Sequence, residues 1–436
     1  MTDLRVLPML AIIYSVSIID RINIGSAQVL GMAEDLVLTG SRYSIVLLLF
    51  FPSYALVDIP SNWLLVRLSP KVWMSFIVFG WGAVLCGMGF VKSWQVLAFL
   101  RFLLGAFEAG VLPGMVYIIG TWYARYEMHQ RISASYGLAV LASAFAGFLS
   151  YALGLLRGHR GMKGWRWIFS VEGAASMLIG MISYFFIPNF PDRAKWLKPN
   201  DKAFLMEKLQ RDRGDHNTER LNMKILLETL SDWIIWVHAV IYMFNVSTAN
   251  AIGFFGPSIL KGLGYSGLKA TLYSAWPFLP TIGALAIGSY ISDRTKLRSP
   301  VIIVQGLIQL IGFVLIRPYY SNEVRYLGLF LGTMGTHCNT PSLLAFSQGN
   351  TIGSGARGVS SGFIIAAGAV GGIIGSCIFR SQDAPTYGPG IYTTIGFAAF
   401  NIIGVSVLAV IYHVRNRAAD RNGARIGGVE GYRYSL

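Results

Sequence analysis

The chain has 436 residues, of which 54% are hydrophobic and only 13% charged, and its formal net charge is +15. Soluble domains carry charge on about a quarter of their residues, so this composition excludes an ordinary soluble protein and points to one embedded in lipid. Repeated apolar runs of about 20 residues exclude a barrel, whose strands would alternate. The positive balance calls for no nucleic-acid partner, because Lys and Arg of membrane proteins collect in cytoplasmic loops.

Twelve helices are predicted, over 5–27, 43–66, 73–91, 94–122, 132–156, 167–187, 231–256, 268–291, 300–317, 325–347, 358–379 and 391–414. The chain is therefore an all-α polytopic membrane protein. In the first span, "IYSVSIIDRINIG" sets Asp20, Arg21 and Asn23 inside an apolar run. A charge at mid-bilayer costs roughly 2.5–3.5 kcal/mol on insertion scales, so intramembrane ionisable residues usually mark function. In the second span, Asp58 of "YALVDIPSNW" precedes Pro60 and reads as a gate or packing contact. In the fourth, "LRFLLGAFEAGVLPG" places Arg101 and Glu108 seven residues apart. That is nearly two turns, so both share one face about 10 Å apart along the axis. Gly105 and Gly110 thin the same helix for close packing.

Further along, the outer loop "RGHRGMKGWR" leads into the sixth span, where Glu172 can answer Arg166, again as a gate. A long polar connector, rich in both charge signs, follows. In the seventh span, Asn245, Ser247, Thr248 and Asn250 interrupt the apolar run and suit a cavity wall or helix–helix hydrogen bonds. After the eighth, "SYISDRTKLRSP" carries Asp293 and Arg294, in the place where "NWLLVRLSPKVW" follows the second. This echo suggests two parallel six-helix repeats, a symmetry found in secondary transporters. His337 and Asn339 sit within the tenth span, the His as a packing residue or a substrate contact.

The expected domains are an N-terminal six-helix bundle at 1–187, a cytoplasmic linker at 188–230, a C-terminal six-helix bundle at 231–414 and a cytoplasmic tail at 415–436. The loop charges place both termini in the cytoplasm, with the outer loop around Arg157 to Arg166 against the trend. Cys86, Cys338 and Cys377 show no paired spacing. No phosphate-binding glycine loop, nucleophile elbow or metal-ligand cluster is present. Neither an enzyme nor a cofactor nor a metal is expected.

Two acids and two arginines on two helices form a proton-and-anion apparatus. A carboxylate, Asp20 or Glu108, can gain a proton outside and lose it inside. An Arg stays charged and can hold a substrate carboxylate through two parallel hydrogen bonds. The competing reading is a purely structural ion-pair lock.

At these residues the chain resembles the anion:cation symporter branch of the major facilitator superfamily. "DRINIGSA" and "RFLLGAFEAGVLPG" resemble that branch's patterns in its first and fourth helices. "GWRWIFSVEG", "IPNFPDRAKWL" and "FRSQDAPTYGPG" are similar to the fungal allantoate-permease and nicotinate (vitamin) carrier group. The likeness runs from about Leu4 to His413. It implies a rocker-switch carrier with two six-helix bundles, working as a monomer, and proton-coupled import of a small organic anion. It also implies proton-coupling roles for Asp20 and Glu108, and roles as anion or charge-network partners for Arg21 and Arg101. The sequence departs from the pattern at Asp58, where a Glu is common, and at Gly349-Asn350, where paired asparagines are common. The segment before the first span is also shorter than in fungal members, as if truncated.

The leading expectation is import of nicotinate or a similar carboxylate across the plasma membrane, with Asn23, Asn245, Asn250, His337 and Asn339 completing the substrate contacts. Allantoate or other ureido compounds and pantothenate are the nearest alternatives. A nutrient sensor that binds without transporting would use the same residues.

Overall fold

The computed structural model describes residues 2–123, 125–191, 194, 199–200, 202–205, 207, 223–295, 297–352, 354–422 and 432–436. Among the described residues there is no strand. The principal helices are α1 (Thr2–Ala27), α2 (Phe50–Leu68), α3 (Pro70–Met88), α4 (Trp94–Glu108, continued by Val111–Trp122), α5 (Arg125–Gly154) and α6 (Gly164–Phe186). They are followed by α7 (Trp233–Gly262), α8 (Gly267–Ala275, continued by Phe278–Thr295), α9 (Ser299–Leu315), α10 (Asn322–Gly349), α11 (Ser354–Ile378) and α12 (Gly388–Asn422).

Among the described residues, nine helical runs are long and apolar enough to cross a membrane. The other three have physical reasons for falling short. Helix α2 carries Asp58, Asn62 and Arg67, α9 has only 17 residues, and α10 is interrupted by Thr, His, Asn and Ser. Large apolar side chains such as Phe76, Phe99, Phe145, Phe185, Ile287 and Ile403 are exposed. On helices with all backbone groups bonded internally, such outward faces are suited to lipid.

The chain divides into two compact units. The first comprises Met1–Asn217 with Gly253–Trp276 and Arg380–Pro385; the second comprises Thr218–Ile252, Pro277–Phe379 and Thr386–Leu436. In the first unit, helix α1 runs on through a π-helical turn, Gln28–Met32, in which Gly31 takes φ +109°. The Gly253–Trp276 segment packs there: Tyr43 Oη donates to the Phe254 carbonyl at 3.2 Å, and Ser258 Oγ donates to Gln28 Oε1 at 2.7 Å.

Two close helix contacts in this unit depend on glycine. A Cβ on Gly173 of α6 would strike the backbone nitrogen of Cys86 and lie 2.7 Å from the Gly82 carbonyl oxygen on α3. One on Gly105 of α4 would strike the Phe50 carbonyl oxygen at the start of α2. Small residues let backbones approach where lipid offers no hydrophobic drive to association.

In the second unit, a buried cluster of Ile234, Ile241, Ile302, Leu343, Phe346, Val405, Leu408 and Tyr412 joins α7, α9, α10 and α12. Helix α12 extends past residue 414 to Asn422 as a polar extension.

Candidate functional site

Helix α1 supplies the centre of the first unit's polar cluster. Asp20 is 1% exposed, and its Oδ2 accepts hydrogen bonds from Trp81 Nε1 on α3 at 3.0 Å and Ser176 Oγ on α6 at 2.6 Å. Three residues on, Asn23 donates through Nδ2 to Glu172 Oε2 and accepts through Oδ1 from Ser150 Oγ on α5 at 3.2 Å. Asp20 and Asn23 are one turn apart on α1, as are Glu172 and Ser176 on α6, so the two helices meet rung by rung. The glycine contact between α3 and α6 brings Trp81 and Ser176 to the same carboxylate. Among the described residues, no basic side chain makes a salt bridge to Asp20.

The ion pair forms one residue away. Arg21 reaches across to α4, with Nη2 2.9 Å and Nε 3.3 Å from Glu108 Oε2, and Ser17 Oγ donates to the same oxygen at 3.1 Å. The Arg21 guanidinium also lies 4.9 Å from the Phe50 ring centre and 5.2 Å from that of Tyr54, an aromatic clamp on a cation. Its side chain is 18% exposed, whereas Glu108 is fully buried. Arg101 is buried behind them and donates from Nη2 to the backbone carbonyl of Arg21 at 3.2 Å. Arg101 Nε and Glu108 Oε1 have no hydrogen-bond partner. Arg101 and Glu108 do share a buried face of α4, but the acid pairs with the arginine of another helix.

The remaining expected gate residues go to different places. Glu172 meets Asn23 rather than Arg166. Arg166 instead donates to the carbonyls of Gly89 at 2.9 Å and Val91 at 3.1 Å, holding the turn between α3 and α4. Asp58 leaves Oδ1 without a partner. Arg294 is exposed and donates to Tyr290 Oη at 2.7 Å, while the Asp293 side chain lies outside the described residues.

In the second unit, Asn245 of α7 donates to the Thr336 carbonyl at 3.2 Å and to Thr340 Oγ1 at 2.9 Å, both on α10. Asn339 donates to Gln309 Oε1 at 3.3 Å. Asn250 bonds the Val246 carbonyl of its own helix. The His337 ring packs 5.2 Å from that of Phe278, and its Nε2 has no partner.

The sequence reading missed Trp81, Ser176 and Ser17, and also Gln305, Gln309, Thr333 and Asn401, which are buried with unpartnered polar atoms. Gln305 and Gln309, four apart in an apolar helix, were a legible sign of a polar face. No group of three or more His, Cys, Asp or Glu stands close enough to hold a metal among the described residues.

The Major Facilitator Superfamily profile matches residues 10–376. The chain belongs to the major facilitator superfamily. It is 32% identical over 445 residues to MFS transporter prlL of Fungal sp. (strain NRRL 50135), covering 99% of this chain and 89% of that one. It is 27% identical over 415 residues to the High-affinity nicotinic acid transporter of Saccharomyces cerevisiae, covering 95% and 77%. Among solved structures, its fold is similar to that of a bacterial homolog of the human lysosomal transporter Spinster, inward-facing and unoccupied. There the TM-score is 0.71 at 16% identity, covering 92% of this chain and 95% of that one. As a member of the superfamily the chain is a multi-pass membrane transporter and not an enzyme.

Proposed function

We propose that this transporter belongs to the anion:cation symporter branch and imports a small organic anion, nicotinate or a similar carboxylate, coupled to protons across the plasma membrane. Both termini would face the cytoplasm, and the 1–187 and 231–414 bundles would alternate around the substrate. The observation that carries the reading is the pair made by Arg21 and Glu108. Arg21 is the partly exposed member, and its planar fork suits a carboxylate. A substrate carboxylate that takes the fork must displace Glu108 or sit beside it. Two anions on one guanidinium repel unless one is neutral, so binding of the anion favours a proton on Glu108. Anion and proton then travel together. Asp20, held by neutral donors only, is the second proton carrier.

The test is uptake of labelled nicotinate, allantoate and pantothenate in transport-deficient yeast, with and without an uncoupler. At least one should accumulate above its concentration in the medium, and the uncoupler should abolish the excess. No accumulation of any anion, or accumulation indifferent to the uncoupler, would rule out the reading.

Substitutions of the arginines refine it. Arg21→Lys keeps the charge but loses the fork, so half-saturation should rise roughly tenfold, about 1.4 kcal/mol. Arg101→Lys should weaken binding less, through the backbone of Arg21 that it supports. Unchanged half-saturation in both would remove the arginines from the substrate site.

A further inference from the structure

At one end of the second unit, the segment Tyr432–Leu436, in no helix or strand, lies across three helix ends. Its backbone is read on two sides by asparagine side chains. Asn416 of α12 accepts from the Tyr434 amide through Oδ1 and donates through Nδ2 to the Tyr434 carbonyl, both at 2.9 Å. Asn350, just past the end of α10, does the same to the next residue. It accepts from the Ser435 amide at 2.7 Å and donates to its carbonyl at 3.1 Å. Each asparagine thus holds both the amide and the carbonyl of one residue, and the two residues held are consecutive.

The segment is fastened at both ends as well. The Arg298 amide, at the start of α9, donates to the main-chain oxygen of Leu436, and Tyr432 Oη donates to the carbonyl of Gly349 at 3.0 Å.

Tyr434 and Leu436 pack against the buried cluster of this unit, while Arg433 between the two tyrosines is exposed. The Tyr434 ring stacks on Tyr412 with centroids 4.6 Å apart and planes at 17°. Tyr412 in turn shares a 3.0 Å hydrogen bond with His238 of α7. By contrast, the Arg433–Asp420 pair is a surface contact, of the sort that contributes little.

We propose that these helix ends form a peptide-recognition groove, and that its occupant is the chain's own Tyr-Arg-Tyr-Ser-Leu segment acting as a tethered ligand. The groove reads main chain through Asn350, Asn416 and Arg298, and one aromatic side chain through Tyr412. Such recognition resembles addition of a strand to a sheet edge, with backbone bonds for affinity and alternate pockets for specificity. Because the contacts come from α9, α10 and α12 together, the seated segment straps these three helix ends.

The test is hydrogen exchange, read by mass spectrometry, on the purified full-length protein. The Tyr434 and Ser435 amides should exchange at least tenfold more slowly than in a free Tyr-Arg-Tyr-Ser-Leu peptide. The double substitution Asn350→Ala with Asn416→Ala should return them to the free rate. Tyr434→Phe should keep the protection and Tyr434→Ala lose it, whereas Asp420→Asn should change it less than twofold. The free Tyr-Arg-Tyr-Ser-Leu peptide at about 10 mM should speed exchange of the native segment by competition. Free exchange in the parent protein would overturn the proposal, as would protection that survives loss of both asparagines. Protection that falls on dilution would assign the occupant to a second copy of the chain instead, which also overturns it.

Discussion

Glu108→Gln is expected to abolish accumulation driven by a proton gradient while leaving counterflow exchange near the parent rate. The amide keeps a carbonyl acceptor for Arg21 and Ser17, which both point at one carboxylate oxygen. It removes the anion that competes with substrate for the Arg21 fork and the site that takes up the proton. Substrate can then still bind and exchange, but nothing links its passage to a proton. Both quantities can be read in proteoliposomes, as the steady-state ratio under an imposed pH difference and as exchange of labelled against unlabelled substrate. Equal loss of the two would mean that Glu108 serves the fold alone. Alanine is the wrong probe here. It leaves a largely buried guanidinium without its acceptor, and breaking a buried pair from one side costs about 3–5 kcal/mol, so the variant would lose protein before it lost coupling.

The contrast between Arg101 and Arg21 shows what could be read from the sequence. The cost of burying charge singled out Asp20, Arg21, Arg101 and Glu108, and helical spacing placed Arg101 and Glu108 on one face. All four lie together in the first unit. Their pairing was not legible, because it depends on how far α1 is rotated toward α4, and no periodicity within either helix encodes that. The same limit hid Trp81 and Ser176. Each reads as an ordinary residue of an apolar helix until α3 and α6 close on α1. Glu172 was legible as an acid in need of a partner, but the partner expected was Arg166 and not Asn23. Arg166 stood nearer in the sequence, yet its guanidinium is taken by the Gly89 and Val91 carbonyls. The helical pattern itself was readable nearly throughout. Helix ends shifted where polar residues continue a helix beyond the apolar run, as in the last turns of α12. The alternation of Tyr432, Tyr434 and Leu436 was a strand-like signal too short to stand out beside twelve helices.

Gly173→Val should be strongly damaging to the first unit although it touches no charged group. A Cβ at this position meets backbone rather than a movable side chain, with the Gly82 carbonyl 2.7 Å away and the Cys86 nitrogen nearer still. Helices α3 and α6 must separate to admit it, and the added methyl groups push further in the same direction. Overpacking of this kind costs typically 1–3 kcal/mol, occasionally more. The expected result is a lower thermal midpoint and lower yield of purified protein than for a matched substitution at Gly137, where a Cβ would meet nothing within 4 Å. The site should suffer with the fold. Trp81 and Ser176 reach Asp20 from the two helices being forced apart, at 3.0 and 2.6 Å, and neither bond tolerates a shift of an ångström. Residual Gly173→Val protein should therefore accumulate substrate less well per molecule than the parent. A second substitution that shortens the facing side chain, Cys86→Ala, should restore little of this loss, because the clash is with backbone. Parent-like stability would show that α3 and α6 can part without cost, and would remove the glycine contact as the element that presents Trp81 and Ser176 to Asp20.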